Sequence, residues 1–305
     1  MTVLLPRSRV DSLIDVGQVL EILREGFRVV APEEPPLRIR TDLPGPGAAT
    51  CLMPGLLPGI PAYTVKVNAK FPNATPALRG VVCLHDIQSG ELLALADSAS
   101  VTSWRTGLSA ALGTHVLADA GADVLGFVGT GAQASRALAG LRRLRSWRRI
   151  VACDIDPTRA AEFTTRVVAD AAAVAAEADV VLLATWSRQP LLYASDVRLG
   201  QHLTTLGADE PGKMELSADL LRAARVVVDD VDLAVTSGAL GNARLDASAA
   251  AGTLGDVLRG DLQAHSVKAV SVYAPVGLPW QDLALTWWLY QRAMNSDALI
   301  IDLLA

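Results

Sequence analysis

Residues 123–145 read DVLGFVGTGAQASRALAGLRRLR. After Asp123, an uncharged apolar run predicts a buried strand, and the last part is an alanine- and leucine-rich stretch that predicts a helix. Between them lies the pattern Gly129-x-Gly131-x-x-Ala134. In a strand–turn–helix context, such glycines let a pyrophosphate approach the backbone, and the helix N-terminus offers it free N–H groups. The segment therefore predicts a dinucleotide-binding loop, with an ordinary glycine-rich turn as the alternative.

The residues around this loop indicate which dinucleotide binds. Asp154 ends the next predicted strand, where a carboxylate accepts hydrogen bonds from the adenosine ribose and repels a 2′-phosphate. The sequence therefore favours NAD(H). Arg159 leaves NADP(H) as an alternative, because a nearby arginine could bind the phosphate. We expect the cofactor contacts to come from Gly129, Thr130, Gly131, Ala132, Gln133, Asp154 and Thr185.

Predicted strands and helices alternate after the loop. Further strands are predicted near residues 148–154, 167–168, 178–185, 202–208 and 224–230. This alternation is typical of a parallel, doubly wound sheet of the Rossmann type.

The flanking sequence follows a different pattern. Residues 10–31 predict one amphipathic helix, because apolar residues recur at helical spacing. Residues 63–97 predict a mixed or antiparallel sheet, with a hairpin turn at Ser89-Gly90. The C-terminal tail predicts a strand, a turn and a helix.

The change of pattern predicts the domain organisation. A chain of 305 residues is long enough for two domains. We predict an α/β protein in which a Rossmann domain, residues 119–273, is inserted in a second α/β domain of the α+β type, residues 1–118 and 274–305.

Composition and charge argue against several classes of protein. The formal net charge is −5, and the sequence has no sustained basic face for nucleic acid. Its three cysteines and four histidines are scattered, which argues against a metal site or a disulfide framework. No stretch reaches the ~18 apolar residues of a membrane span, and the apolar run at the start is too short for a signal peptide. We expect a cytoplasmic protein.

Seven segments resemble the ornithine cyclodeaminase/mu-crystallin family and follow its order. They are CLMPG (51–55), YTVKVNAKFPN (63–73), DIQSGELLALADSASVTSWRTGLSAA (86–111), GFVGTGAQA (126–134), ADVVLLAT (178–185), LGADEPGKMEL (206–216) and VGLPWQDLA (276–284). The resemblance implies a Rossmann domain inserted in a substrate-binding and dimerisation domain, and a homodimer. It also implies an NAD(P)-dependent reaction at the Cα–N bond of a small carboxylate-bearing amino or imino acid.

The resemblance assigns three cations to the substrate carboxylate. These are Lys66, Arg105 and Arg38, and Arg40 is a rival to Arg38 because the register is loose there. The assignment also makes physical sense, since a buried carboxylate needs charge-assisted donors and arginine offers a planar fork.

The resemblance also indicates catalytic and cofactor residues. Asp209 matches the family's catalytic aspartate, which exchanges a proton with the substrate nitrogen, and Lys66 is the second catalytic candidate. Thr106 would contact the cofactor phosphates. Lys213 and Glu215 would pair and hold the loop of Asp209. The alternative role for Asp209 is to cap the following helix.

Departures from the family pattern favour some of its activities over others. Cys51 stands where many cyclodeaminases have glutamate, and Ala77 stands near the position of a substrate-site threonine. A diamino acid needs such partners for its second amino group, so we favour an imine (ketimine) reductase or an amino-acid dehydrogenase. One alternative is an ornithine or lysine cyclodeaminase with catalytic bound NAD. The other is a mu-crystallin-like, non-catalytic protein that binds NAD(P)H and a small ligand.

Overall fold

The computed structural model describes residues 1–29, 38–42, 48–71, 74–264, 269–296 and 298–303. Their contacts divide the chain into two compact units, unit 1 (Met1–Arg105 and Leu278–Ala305) and unit 2 (Thr106–Gly277). No helix in those described ranges is both long and apolar enough to cross a membrane.

The helices and strands are numbered in chain order. The first part of the chain contains β1 (Thr2–Leu5), α1 (Arg7–Leu13), α2 (Val16–Val29), β2 (Arg38–Asp42), β3 (Ala48–Gly55), β4 (Ala62–Lys70), β5 (Leu78–Asp86), β6 (Leu92–Asp97) and α3 (Ser98–Leu117). The middle part contains β7 (Val124–Val128), α4 (Ala132–Leu144), β8 (Arg149–Cys153), α5 (Pro157–Phe163), β9 (Arg166–Val167), α6 (Ala171–Glu177), β10 (Val180–Leu183), β11 (His202–Thr205), α7 (Ala218–Ala223), β12 (Arg225–Val228), α8 (Val231–Thr236), α9 (Ala239–Asn242), β13 (Ala250–Thr253), α10 (Leu254–Arg259) and β14 (Ser271–Tyr273). The last part contains α11 (Pro279–Met294) and β15 (Leu299–Ile301).

Helix α3 belongs to both units. The contacts put one boundary within this helix, after Arg105, and the other after Gly277, whereas the sequence predicted boundaries after residues 118 and 273. The later half of α3 belongs to unit 2 because it packs there. A β-carbon on Gly107 would lie 2.5 Å from Cβ of Arg136 on α4, and Ala111 shares a buried cluster with the core of the parallel sheet.

Unit 1 is built on a seven-stranded sheet in the order β15-β1-β6-β5-β4-β3-β2. Neighbouring strands pair antiparallel except β1 with β6, so the predicted mixed sheet and the hairpin between β5 and β6 are confirmed. Helix α11 packs on β3, β4 and β5. It covers the face of β4 that carries the buried Thr64 and Lys66, while the alternate residue Val67 is exposed on the other face.

The prediction of one helix over residues 10–31 is wrong. The structure has two helices there, α1 and α2, separated by Ile14 in an extended conformation. The break has a local cause, because the Asp15 carboxylate accepts a hydrogen bond from the N–H of Gln18 at 3.1 Å. Such a side chain caps a new helix start and competes with continuation of the previous helix.

Unit 2 is built on an eight-stranded sheet in the order β13-β12-β14-β11-β10-β7-β8-β9. Every neighbouring pair is parallel, which confirms the predicted doubly wound fold of the Rossmann type. Strand β9 is only Arg166–Val167, next to the weak strand predicted at 167–168. Strand β13 was not predicted, because its sequence AAGT consists of small residues on a half-exposed edge.

The carboxyl ends of these parallel strands carry several polar or glycine positions. Gly129 follows β7, Asp154 follows β8 and Asp229 follows β12, while Thr185 and Asp209 come shortly after β10 and β11. Because the strands are parallel, these residues lie at one edge of the sheet, where open α/β sheets bind their ligands.

Candidate active site

Two glycines shape the loop after β7. Gly129 has a φ of +84°, and a β-carbon there would lie 2.7 Å from the carbonyl oxygen of Ala184. Gly131 is the N-cap of α4 without a side-chain cap, and a β-carbon built on it meets no described atom within 4 Å. Open space therefore lies beside the first N–H groups of a 13-residue helix. This arrangement fits the pyrophosphate of a dinucleotide.

Other residues assigned to the cofactor lie close to this loop. Ala132 and Gln133 form the first turn of α4. Thr185 lies against the loop, since its Cγ2 would be 3.0 Å from a β-carbon on Gly129. Thr106 lies on α3 beside the glycine that packs on α4. The structure therefore groups these residues within unit 2.

Asp154 is surrounded by hydrogen-bond donors. Its carboxylate accepts from the N–H and the hydroxyl of Thr130, at 2.7 and 2.9 Å, and from the N–H of Asp156 at 2.9 Å. The guanidinium of Arg159 adds two bonds, at 2.6 and 3.2 Å. Burial opposes ionisation of Asp154, but the hydrogen bonds from Arg159, Asp156 and Thr130 outweigh it and hold the pKa well below its usual range.

Glu215 is fully buried and joins two strand ends. Its Oε1 accepts from the N–H and the hydroxyl of Thr185, at 2.6 and 2.7 Å. Its Oε2 accepts from the hydroxyl of Thr205 at 2.6 Å and from the N–H of Gly207 at 2.8 Å. Burial raises the pKa of Glu215 despite these four hydrogen bonds. The predicted pairing of Glu215 with Lys213 is therefore wrong, and Glu215 instead fixes the start of the loop that carries Asp209.

Asp209 pairs with Lys213 within that loop. Lys213 Nζ lies 3.1 Å from Asp209 Oδ1, 3.8 Å from Glu210 Oε2 and 4.7 Å from the centre of the Trp186 ring. The Asp209 side chain is 25% exposed, so a bound molecule can reach it. Ser217 caps the following helix α7, so the alternative of Asp209 as its N-cap is wrong. A partly exposed carboxylate beside a buried ammonium group can exchange a proton with a substrate.

Asp229 is a buried carboxylate at the same edge that the sequence did not single out. It accepts from the N–H groups of Val276, at 3.0 and 3.1 Å, and of Gly277, at 2.6 Å. Burial raises the pKa of Asp229 to about 6, the charge of Asp230 adds to this, and the hydrogen bonds oppose it. The sequence does contain a pattern that could have indicated Asp229, because Asp229 and Asp230 directly follow an apolar strand. Asp230 caps helix α8, which leaves Asp229 for another role.

In unit 1, two of the predicted carboxylate-binding cations share one acid. Lys66 Nζ lies 2.5 Å from Asp282 Oδ2, and Arg105 Nε lies 3.3 Å from Asp282 Oδ1. Arg105 also donates to Oε1 of Gln281 at 3.3 Å. All four residues are buried. Two buried cations that meet at one acid are suitable charge-assisted donors for a carboxylate.

No role was predicted for Asp282 or Gln281, although both lie in the segment VGLPWQDLA. A signal was present, because their helix start is otherwise apolar, from Pro279 and Trp280 to Leu285. A charged residue in such a helix is buried with it and needs a partner of opposite charge. The partners came from β4 and α3, which are distant in sequence, so the sequence alone could not pair them.

A model of the ornithine cyclodeaminase/mu-crystallin family matches residues 1–297. The chain belongs to this family. The resemblance carried by seven segments is therefore confirmed over nearly the whole chain.

Relatives in the ornithine cyclodeaminase/mu-crystallin family match along most of their length. Alanine dehydrogenase of Archaeoglobus fulgidus is 29% identical, over 97% of this chain and 96% of that protein. The ketimine reductase mu-crystallin of Mus musculus is 28% identical, over 71% of this chain and 70% of that protein. A solved archaeal alanine dehydrogenase dimer with bound NAD has a TM-score of 0.91 and 26% identity, and 99% of each chain is covered. The predicted enzyme class, an NAD(P)-dependent oxidoreductase of amino and imino acids, agrees with these relatives.

The strand register distinguishes Arg38 from Arg40 as the third candidate for binding the substrate carboxylate. Arg38 on β2 pairs with Leu52 on β3, and Leu52 pairs with Lys66 on β4. Arg40 pairs with Thr50, two rows further along. Arg38 therefore occupies the same cross-strand row as Lys66. The side chains of Arg38, Arg40 and Cys51 lie outside the described part of the structure.

Proposed function

We propose that this protein transfers a hydride between NAD(H) and the Cα–N bond of a small amino or imino acid. In the reductive direction, the substrate is a ketimine, such as a cyclic imino-2-carboxylate, or an imine formed from a 2-oxo acid and an amine. The observation that carries the proposal is the buried cluster of Lys66, Arg105 and Asp282, in which two cations meet at one acid. Such a cluster supports a substrate with one carboxylate.

The residues of unit 1 bind and orient the substrate in this proposal. Arg105 and Lys66 donate charge-assisted hydrogen bonds to the carboxylate, and Arg38 is the third donor by family resemblance and by its row in the sheet. Asp282 holds Arg105 and Lys66 in place before the substrate arrives. Holding the carboxylate fixes the position of Cα, which is the atom at which the reaction occurs.

The residues of unit 2 hold the cofactor and move the proton. Gly129, Thr130 and Gly131, with the first turn of α4, receive the pyrophosphate, and Thr185 lies beside them. Thr106 is a further phosphate contact by family resemblance. Asp154 faces the adenosine ribose and favours NAD(H) over NADP(H). The bound nicotinamide supplies or accepts the hydride. Asp209 donates a proton to the substrate nitrogen or removes one from it.

A substrate screen tests this function. The full chain is mixed with NADH and cyclic imino-2-carboxylates, or with 2-oxo acids plus amines or ammonia, and the absorbance of NADH is followed. We expect stoichiometric loss of NADH with at least one of them. Conversion of ornithine or lysine in a parallel assay with NAD+, with release of ammonia and no net formation of NADH, would instead identify a cyclodeaminase. Tight NADH binding without any turnover would identify a binding protein of the mu-crystallin kind.

We also propose that unit 1 forms a homodimer through the open face of its sheet. Ile39, Val67 and Val81 are 47%, 46% and 42% exposed. The register places them in one row, because Val67 pairs with Val81 on β5 and, through Cys51 on β3, with Ile39. Apolar side chains on an exposed sheet face favour association with another sheet. A second copy of the chain is the partner we propose, in keeping with the dimer of the archaeal relative.

The mass of the particle in solution tests the dimer. Light scattering of the full chain should give twice the chain mass, and Val67→Asp with Val81→Asp should give the mass of one chain. Leu199→Asp is the matched control, because Leu199 is 73% exposed in unit 2 and outside this face. A control that dissociates equally, or a double variant that stays dimeric, would contradict the proposed surface.

A further inference from the structure

Asp154 has no acceptor capacity left for a ribose. Its carboxylate already accepts five hydrogen bonds in the structure, from Thr130, Asp156 and Arg159. A carboxylate has about four lone-pair positions, so this group is saturated. Its side chain is also only 3% exposed. A ribose can reach it only if one of these donors moves away.

The donors differ in how readily they can leave. Three of the bonds come from Thr130, in the loop, and from the backbone of Asp156, which caps α5. Their departure would disrupt the loop or the start of the helix. The other two come from the guanidinium of Arg159, whose side chain is 46% exposed. A surface arginine that leaves one ion pair becomes solvated by water, so its departure is the easiest.

We propose that Arg159 is a specificity-determining residue that opposes the preference for NAD(H) conferred by Asp154. Arg159 covers the carboxylate, and it must move aside before an NAD(H) ribose can bind there. Once displaced, its guanidinium is a bidentate donor beside the ribose and can bind the 2′-phosphate of NADP(H). Arg159 therefore weakens NAD(H) binding and supports NADP(H) binding. This inference rests on the proposed function, because it assigns a role at the same dinucleotide site.

An alternative role for Arg159 would be to orient Asp154 for the ribose. The structure argues against it, because the three bonds from Thr130 and Asp156 already fix both carboxylate oxygens. The two roles predict opposite results for removal of the guanidinium. An orienting arginine would be needed for NADH affinity, whereas a covering arginine would reduce it.

Titration of the purified full chain with NADH and with NADPH tests the inference. Arg159→Ala frees two acceptor positions on Asp154, uncovers its negative charge and removes the cation for the 2′-phosphate. We expect an NADH Kd that is unchanged or lower and an NADPH Kd that is higher. The ratio of the NADPH Kd to the NADH Kd should rise by about tenfold or more, which corresponds to about 1.4 kcal/mol. Arg159→Lys keeps the charge without the fork and should give an intermediate ratio.

Arg166→Ala is the matched control. Arg166 also forms a two-point pair with one acid, Glu177, and its side chain is 54% exposed. That pair lies at the amino ends of the parallel strands, whereas the cofactor loop lies at their carboxyl ends. Its position follows from the contact between Glu177 and Arg149 at the start of β8. The Kd ratio of this variant should equal that of the wild type.

Three results would overturn the inference, and they are separable. Weaker NADH binding by Arg159→Ala would assign Arg159 the orienting role. If the wild type binds NADH and Arg159→Ala has the same Kd ratio as the wild type, Arg159 has no part in selectivity, while the proposed function stands. A wild type that binds neither dinucleotide would overturn the proposed function itself.

Discussion

The carboxylate of Asp282 lies 2.5 Å from the ammonium group of Lys66, and both side chains are at most 2% exposed. Burial of two charges is unfavourable unless each finds a close partner. Asp282 supplies that partner for Lys66 and, at 3.3 Å, for Arg105. Unit 1 can therefore keep two cations out of water before any substrate binds.

Loss of the Asp282 charge should destabilise the protein. Asp282→Asn keeps the shape of the side chain but leaves two buried cations without their acid. We expect the free energy of unfolding to fall by about 3 kcal/mol or more, the scale for breaking a buried ion pair. Urea denaturation followed by circular dichroism measures it.

Asp123→Asn is the control for that experiment. Asp123 pairs with Arg148, but their side chains are 49% and 62% exposed. Removal of such an exposed pair should change the free energy of unfolding by less than about 1 kcal/mol. Equal, small losses in both variants would contradict the role given to Asp282.

Structure could be predicted from the sequence most accurately where one contiguous segment contains the whole pattern. The strand, the two glycines and the helix of residues 123–145 are contiguous, so the loop and the parallel sheet could be predicted together. The cluster of Lys66, Arg105 and Asp282 brings together β4, α3 and α11. A sequence shows that each charge exists but not which charges meet, and the acid at the centre of the cluster was missed for that reason.

Removal of Arg105 should weaken substrate use without loss of the cofactor site. Arg105→Ala removes one charged hydrogen bond to the substrate carboxylate. We expect kcat/KM to fall by about 30- to 150-fold, which corresponds to about 2–3 kcal/mol. Steady-state kinetics and an NADH titration measure both effects, and the Kd of NADH should stay within a few-fold. Arg292→Ala is the control in unit 1, since this arginine lies on an exposed position over Trp288. Wild-type kinetics for Arg105→Ala would remove Arg105 from the substrate site.

Asp229 should make stability depend on pH in a particular direction. Its pKa is about 6 in the folded protein against an ordinary 3.8, so the folded state binds more protons than the unfolded state between these values. The contribution of Asp229 to the free energy of unfolding is therefore present below about pH 4 and is lost as the pH rises through 6, by up to about 3 kcal/mol.

Comparison with Asp229→Asn isolates this contribution from other acids, including the neighbouring Asp230 and the buried Glu215. Urea denaturation of both proteins at several pH values gives the difference between their free energies of unfolding. The wild type should lose stability relative to the variant as the pH rises from about 4 to 6. A difference of the opposite sign would mean that the N–H groups of Val276 and Gly277 outweigh the burial of Asp229.

Loss of Asp154 should narrow the selectivity between dinucleotides. Asp154→Ser removes the acceptor for the ribose and the charge that repels a 2′-phosphate, and it frees Arg159 to bind that phosphate. We expect weaker NADH binding, stronger NADPH binding and a smaller ratio of their Kd values, measured by fluorescence titration. Equal or better affinity of the wild type for NADPH would contradict the preference for NAD(H).

Asp209 should carry the proton in the proposed reaction. Its carboxylate is partly exposed, lies at the carboxyl edge of the parallel sheet and is held by Lys213 at 3.1 Å. Asp209→Asn keeps the shape of the side chain and removes its ability to exchange a proton. We expect turnover to fall by about 10²-fold or more, the usual scale of general acid–base catalysis, with the Kd of NADH unchanged.

Glu210→Gln is the matched control for this variant, because Glu210 is the next residue and also faces Lys213, at 3.8 Å. Its turnover should stay within a few-fold of the wild type. If Asp209→Asn reduced thermal stability but left turnover nearly normal, Asp209 would be a structural residue of its loop. The proton would then come from Lys66 or from water, and a protein that binds the dinucleotide without catalysis would gain support.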